Sequence, residues 1–193
     1  MTATRQRITE AAMELHGTLG PARTTMTAVA ERAGVQRQTV YRHFADEHEL
    51  LAACSAHFAT LYPWPDAAQW RTVADPAERL RIGLDELYAW YEITEAMWTN
   101  VLRDESLVSA VGPALEPLHT YLDDTARVLA AGWGTRGRRR AMLVAAVRHA
   151  VDFQTWRSLA RDGTVDRAGV VELTSAMVSR AASTQRAIGD SLG

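Results

Sequence analysis

The stretch of sequence that decides the fold spans residues 24–44 and reads TTMTAVAERAGVQRQTVYRHF. It predicts two short helices joined by a tight turn. Thr25 or Thr27 can cap the first helix, because a threonine hydroxyl accepts a hydrogen bond from a free N–H of the first turn. Gly34 can take the left-handed conformation that ends this helix. Three- and four-residue steps give the helix one apolar face, made of Met26, Val29, Ala30 and Ala33.

The second helix, residues 36–43, is crowded with hydrogen-bonding side chains, and Val40 and the following Phe44 are expected to point inward. Arginine matches the acceptors of guanine, and glutamine can pair bidentately with adenine in the major groove. Tyrosine, threonine and histidine suit phosphate oxygens, which position a helix without reading sequence. We therefore predict a helix-turn-helix rather than a merely solvated polar helix. The candidate DNA-binding residues are Thr25, Thr27, Gln36, Arg37, Gln38, Thr39, Tyr41, Arg42 and His43.

Four pieces of sequence are typical of one family: residues 24–25, 29–35, 39–44 and 49–51. Through them the chain from about residue 5 to residue 54 resembles the N-terminal domain of TetR/AcrR-type transcriptional regulators. The resemblance implies a homodimer of all-helical subunits, each placing one recognition helix in a half-site of a palindromic operator. It also implies a C-terminal ligand domain that controls the spacing of the two recognition helices, expected about one DNA turn apart, ~34 Å.

Two positions depart from the pattern of that family. Gln38 stands where the family usually has a small residue, and it is a candidate for an extra base or backbone contact. Glu47 stands at the start of the fourth helix, where the family usually has a lysine that touches a phosphate. A glutamate suits the helix dipole there but repels the DNA backbone. The alternative function is therefore a helical interaction protein whose DNA-binding head is impaired.

The composition is that of a globular protein with a locally basic segment. The 193 residues are 47% hydrophobic and 23% charged, with a net charge of −2. Residues 23–43 carry four arginines against one glutamate, which is typical of a basic reading face on a neutral or acidic protein. No run approaches the ~18 apolar residues of a membrane span, and the N-terminus lacks an apolar signal core. A cytoplasmic protein without membrane contact is predicted, and its one cysteine, Cys54, is expected to be buried.

The whole chain reads as all-α, with about nine helices. We place a helix-turn-helix DNA-binding domain at 1–48 and a helical ligand-binding and dimerisation domain at 49–193. Asp46 is expected to cap the fourth helix, and Asp75 with Pro76 to start the fifth. Further helices are predicted at 76–91 and 92–103, with a kink allowed between them, and at 113–131. A long eighth helix is predicted from Gly137 to Asp162, and a ninth from Asp166 to about Arg186.

Aromatic residues after residue 60 suggest a ligand site, although aromatics at helical spacing more often form core. A cavity with aromatic walls and a few polar anchors is a usual small-molecule site. Within the predicted eighth helix, His149 and Asp152 are either ligand anchors or, slightly favoured, a satisfied buried pair. The expected effector is small, apolar or aromatic and without strong charge. The candidate lining residues are Tyr91, Met97, Trp98, Val101, Tyr121, Leu122, His149, Asp152, Phe153 and Trp156.

Neither a cofactor nor a metal site is predicted, and an enzyme is disfavoured. The sequence shows no Gly-rich phosphate loop, nucleophile elbow or metal-ligand spacing. The last two helices carry many small and apolar residues, and the ninth is apolar on more than one stripe, which favours a partner covering the second stripe. The resemblance implies a four-helix dimer bundle built from these helices. The predicted partners are thus double-stranded DNA, a small-molecule effector and a second copy of the chain.

Overall fold

The computed structural model describes residues 2–161 and 163–183, and over these residues the regular structure is entirely helical. The all-α prediction is confirmed. None of the described helices is long and apolar enough to cross a membrane. The described residues form one 3₁₀ turn, Pro21–Arg23, and ten α-helices: α1 Ala3–Thr18, α2 Met26–Ala33, α3 Arg37–His43, α4 Glu47–Leu61, α5 Ala67–Trp70, α6 Pro76–Asp104, α7 Val111–Leu129, α8 Gly137–Ala150, α9 Phe153–Ala160 and α10 Arg167–Ala182.

Backbone contacts divide the chain into two compact units. Unit 1 comprises the residues up to Pro65 together with Trp90–Thr120. Unit 2 comprises Asp66–Ala89 together with the described residues from Tyr121 onward. The helices α6 and α7 each contribute one segment to each unit. The predicted boundary between the DNA-binding domain and the ligand-binding domain, at residues 48 and 49, stays a prediction. In the structure, α4 packs against α1 within unit 1.

Local capping chemistry sets the ends of the first helices as predicted. The hydroxyl of Thr25 accepts a hydrogen bond from the backbone N–H of Ala28 at 3.1 Å, so Thr25 is the N-cap of α2. Gly34 ends α2 in the left-handed conformation, with φ of 65°. The Asp46 carboxylate accepts from the N–H of Glu49 at 2.9 Å and caps α4. The core beneath these helices consists of Ile8, Ala12, Met26, Val29, Ala30, Val40, Phe44, Leu50 and Cys54.

Helix α6 runs without interruption through the position where a kink was allowed. It starts as predicted, since the Asp75 carboxylate accepts from the N–H groups of Ala77 and Glu78 at 2.7 and 3.0 Å. One short helix, α5, was not predicted. Asp66 caps it, and its last residue, Trp70, is buried and donates its indole N–H to Glu86 at 2.8 Å within unit 2.

The prediction of one long eighth helix from Gly137 to Asp162 is wrong. Helix α8 ends at Ala150, and a new helix, α9, starts at Phe153. Two hydrogen bonds stabilise the break. The Asp152 carboxylate accepts from the N–H of Thr155 at 3.0 Å and acts as an N-cap, while the buried Tyr88 hydroxyl donates to the carbonyl of Ala150 at 2.8 Å. The predicted ends at Asp162 and Arg186 lie outside the described residues.

Candidate nucleic-acid interface and ligand cavity

Helix α3 buries its apolar residues and exposes its polar ones. Val40 and Phe44, four residues apart, are both fully buried in the unit 1 core. Thr39 and His43 are half-buried, and Thr27 on α2 is exposed. The structure therefore brings the candidate DNA-binding residues of α3 to one solvent-facing surface, where the exposed ones are Gln36, Arg37, Gln38, Tyr41 and Arg42.

Two of these side chains are ordered by each other. The Arg37 guanidinium donates to the Tyr41 hydroxyl at 3.1 Å and lies 5.4 Å from the centre of the Tyr41 ring. This i,i+4 pair orients the Arg37 guanidinium in advance, which lowers the conformational entropy that the side chain would lose on contacting a ligand. Thr25 uses its oxygen as a cap acceptor, so its hydroxyl proton stays available to a phosphate oxygen.

Arg5 holds the end of α3 in place, a role that sequence reasoning missed. Its guanidinium lies 4.1 Å from the centre of the Phe44 ring. It donates to the His43 carbonyl at 3.2 Å and to Glu49 at 3.2 Å, and Glu49 in turn accepts from the N–H of Ala45 at 2.9 Å. No local pattern signals these contacts, because they join residues 38 and 44 positions apart.

Glu47 is the first residue of α4 and is exposed. Two acidic residues, Glu47 and Glu49, occupy the first turn of that helix, where negative charge is favoured by the helix dipole.

Arg32 is committed to an ion pair with Glu14. Among the described residues, the side chains of Gln38 and Arg42 have no hydrogen-bond partner and are open to an external acceptor.

Unit 1 also contains a cavity of about 280 Å³. Its walls come from α1, α4, the second half of α6 and the first half of α7, with Trp64 added from the segment after α4. The lining residues are Met13, His16, Leu51, Ala52, Cys54, Ser55, Ala56, Phe58, Ala59, Trp64, Met97, Trp98, Val101, Pro113, Ala114, Leu115, Pro117 and Leu118.

The cavity is apolar, with few polar groups. Burial lowers the pKa of His16 to about 4, the charge of Asp104 opposing this only in part, so the imidazole is neutral at pH 7. Burial also raises the pKa of the Cys54 thiol to about 12, so the thiol stays protonated. The Trp98 indole packs against Phe58 and Trp90 with ring centres 5.7 and 5.5 Å apart. Its Nε1–H is buried without a hydrogen-bond partner among the described residues.

The ten residues predicted to line a ligand site are not brought together in this cavity. Met97, Trp98 and Val101 line it. Tyr91 is buried in unit 1 but is not part of the wall. The other six belong to unit 2 and do not line this cavity: Tyr121, Leu122, His149, Asp152, Phe153 and Trp156.

His149 and Asp152 are not a buried pair, because both side chains are exposed. The break between α8 and α9 removes the common helical face that the prediction assumed. His149 instead lies 3.1 Å from the Thr155 hydroxyl, through Nδ1. Sequence reasoning missed the contributions of α1 and α4 to the cavity. The small residues of α4, Ala52, Ser55, Ala56 and Ala59, are the signal that a void adjoins this helix.

The N-terminal helices α1 to α4 thus form a helix-turn-helix braced by α1 and α4, with a polar recognition helix. Residues 8–54 match the model of the bacterial regulatory proteins of the tetR family. This N-terminal segment is a TetR-family domain. The resemblance seen in the sequence is confirmed, and the match covers the core residues of the TetR-family domain from Ile8 to Cys54.

Solved structures share the fold along nearly the whole chain. A TetR family transcriptional regulator, PfmR from Thermus thermophilus, is 19% identical, with a TM-score of 0.64 over 90% of this chain and 97% of its own. A TetR-like regulator from Rhodococcus sp. RHA1 is 18% identical, with a TM-score of 0.60 over 93% and 96%. The multidrug binding protein EbrR, solved with imidazole, is 22% identical, with a TM-score of 0.59 over 97% and 99%. No curated protein matches the sequence.

Proposed function

We propose that the protein is a ligand-responsive transcriptional repressor that binds a palindromic operator as a homodimer in the cytoplasm. The observation that carries the proposal is the exposed polar surface of α3, supported from below by the buried Val40 and Phe44. A helix of this composition on a TetR-family domain is suited to the major groove. An effector bound elsewhere in the protein would release the DNA.

The exposed side chains divide by chemistry into reading and positioning groups. Arg37 and Arg42 match guanine, and Gln36 and Gln38 match adenine. The hydroxyl groups of Thr25, Thr27, Thr39 and Tyr41, together with the His43 imidazole, suit phosphate oxygens. Affinity should fall steeply with salt, because each phosphate contact releases counterions.

The apolar cavity is the proposed effector site. It lies against α1 and α4, which also form the core under the recognition helix. A molecule that enters the cavity can therefore change the packing of α1 against α4 and with it the position of α3, a rigid-body route to switching. The multidrug binding protein EbrR, solved in complex with imidazole, has the same fold, which supports an effector site in this protein.

The experiment is a selection of bound fragments from genomic or random DNA, followed by gel-shift titration. Arg37→Ala should weaken specific binding by roughly 5- to 150-fold, which corresponds to the ~1–3 kcal/mol of one good base contact. Arg81→Ala is the matched control, since Arg81 is an exposed arginine on α6 in unit 2. It should leave binding unchanged.

Failure of the wild-type protein to bind any fragment would sink the proposal and favour a helical interaction protein with an impaired head. Glu47→Lys tests that alternative directly, because it restores the cation that the resemblance places at the start of α4. If only the Glu47→Lys variant binds DNA, the native head is impaired.

A further inference from the structure

Arg37 lies at the end of α3 from which a recognition helix reads bases. It is the first residue of the helix, directly after the N-cap Gln36, and its side chain is exposed. In a helix-turn-helix, the N-terminal residues of the second helix contact base edges in the major groove. Arginine meets guanine there through two N–H donors, one to O6 and one to N7. Both the position and the chemistry of Arg37 therefore fit a guanine contact.

Tyr41, one helical turn later, holds this guanidinium. Nη2 of Arg37 donates to the Tyr41 hydroxyl at 3.1 Å, and the guanidinium carbon lies 5.4 Å from the centre of the Tyr41 ring. A guanidinium has five N–H donors, so this bond leaves enough of them for a bidentate contact with a base. Arg42, the other exposed arginine of α3, has no hydrogen-bond partner among the described residues. Only one of these two arginines is thus oriented before DNA is bound.

The Tyr41 hydroxyl can make a second hydrogen bond while it holds Arg37. A phenol oxygen both accepts and donates, so the hydroxyl keeps its proton when it accepts from the guanidinium. Tyr41 is 43% exposed on the surface that carries the polar residues of α3, and tyrosine hydroxyls are among the groups that contact phosphate oxygens. Hydrogen bonds in a chain polarise one another, so accepting from a cation strengthens this hydroxyl as a donor.

We propose that Arg37 is the guanine-reading residue of α3, and that the Tyr41 hydroxyl positions it by accepting its N–H while donating to a DNA phosphate. An exposed i,i+4 pair contributes little to folding stability, so the consequence of this pair lies in binding. Immobilising a flexible side chain on binding lowers affinity by roughly 2- to 12-fold, and Tyr41 removes part of that loss in advance. The inference rests on the proposed function and names a specificity-determining pair within it.

The test uses the selected operator with two kinds of chemical change in the DNA. 7-Deazaguanine, which lacks the N7 acceptor, replaces each guanine of a half-site in turn. A neutral methylphosphonate replaces each phosphate in turn, and gel-shift titration measures every loss of affinity. The wild-type protein should bind about fivefold more weakly when one particular guanine is replaced. It should show a loss of about the same size at one phosphate near that guanine.

Matched variants assign the two losses to their residues. Arg37→Ala should abolish the loss at the guanine and keep most of the loss at the phosphate. Tyr41→Phe should abolish the loss at the phosphate and reduce the loss at the guanine to about twofold or less, because the ordering of Arg37 then has to occur on binding. Tyr62→Phe removes the same hydroxyl at the end of α4 and should retain both losses. Urea unfolding should give the same midpoint for Tyr41→Phe and the wild-type protein.

A second measurement needs only the wild-type protein. The operator is prepared with both changes together, 7-deazaguanine at the sensitive guanine and methylphosphonate at the sensitive phosphate. Since one hydroxyl links the two contacts, the combined loss should be at least about twofold smaller than the product of the separate losses. Independent contacts would give the product itself.

Equal losses at the guanine in the wild-type protein and Tyr41→Phe would overturn the inference. So would a phosphate loss that survives in Tyr41→Phe, a guanine loss that survives in Arg37→Ala, or independent losses on the doubly changed operator. If any of these results is found on an operator that the protein binds, the inference fails and the proposed function stands. A protein that binds no selected fragment would refute both.

Discussion

His16 is a titratable side chain kept out of water, with its imidazole in the wall of the cavity. Its pKa falls from 6.5 to about 4 on folding because burial disfavours the charged ring. Between pH 6.5 and 4 the unfolded chain binds a proton that the folded chain does not, so stability falls as the pH falls through this window. The loss attributable to His16 should reach roughly 3 kcal/mol at pH 4.

The measurement is urea unfolding of the wild-type protein and His16→Gln at several pH values from 8 to 4. Glutamine is neutral throughout, so the variant should lose less stability than the wild-type protein between pH 6.5 and 4. Above pH 7 the difference between their free energies of unfolding should no longer depend on pH. Other groups titrate equally in both proteins and cancel. Parallel pH profiles for the two proteins would show that His16 is protonated in the folded state or reached by water.

Residue roles that depend on sequence neighbours could be predicted, and roles that depend on distant partners could not. Thr25 and Asp46 cap helices through N–H groups three residues away, and Gly34 ends a helix through its own φ. Arg5 reaches the end of α3, and Trp98 becomes part of the cavity wall, only when segments far apart in the chain meet. For this reason the exposure of the polar residues of α3 could be predicted from its own sequence, whereas only three of the ten ligand-site candidates line the unit 1 cavity.

The break between α8 and α9 shows how a cap overrides periodicity at the scale of an element. Val147 and Ala150 before the break and Phe153 and Trp156 after it are all buried, so the apolar rhythm continues and predicts one helix. Asp152, however, adopts an extended conformation with ψ of 134° and caps the next helix. An aspartate side chain that accepts hydrogen bonds from nearby backbone N–H groups offers the backbone an alternative to continuing the helix.

We expect Asp152→Ala to lower the free energy of unfolding by about 1 kcal/mol, the usual value of an N-cap. Asp152→Asn should retain most of the stability, because asparagine is an equally good cap. Asp124→Ala, which removes an exposed aspartate paired with the exposed Arg127 on α7, is the control and should change stability little. Equal losses in Asp152→Ala and Asp124→Ala, by urea denaturation, would contradict the capping role.

At the scale of the whole molecule, the last described helices carry apolar residues on two faces. Helices α8 and α10 pack against each other within unit 2, which buries Val147 on one and Val170 and Val178 on the other. Yet Met142 on α8 is 51% exposed, and Leu173 and Met177 on α10 are 46% and 48% exposed. Large apolar side chains left to water favour an interface, and a second copy of the chain is the proposed partner.

If α8 and α10 form that interface, Leu173→Arg should convert the dimer into monomers, because a charge buried there without a partner is costly. Two linked recognition helices reach both half-sites together, so the monomer should lose most of its operator affinity although α3 is unchanged. Sedimentation and gel-shift titration measure the two effects on one sample. Ile93→Arg is the matched control: Ile93 lies on α6 and is 66% exposed, so this variant should remain dimeric and bind DNA normally. A Leu173→Arg protein that stays dimeric would show that the dimer interface lies elsewhere. A wild-type protein that is monomeric at micromolar concentration would contradict the proposed dimer itself.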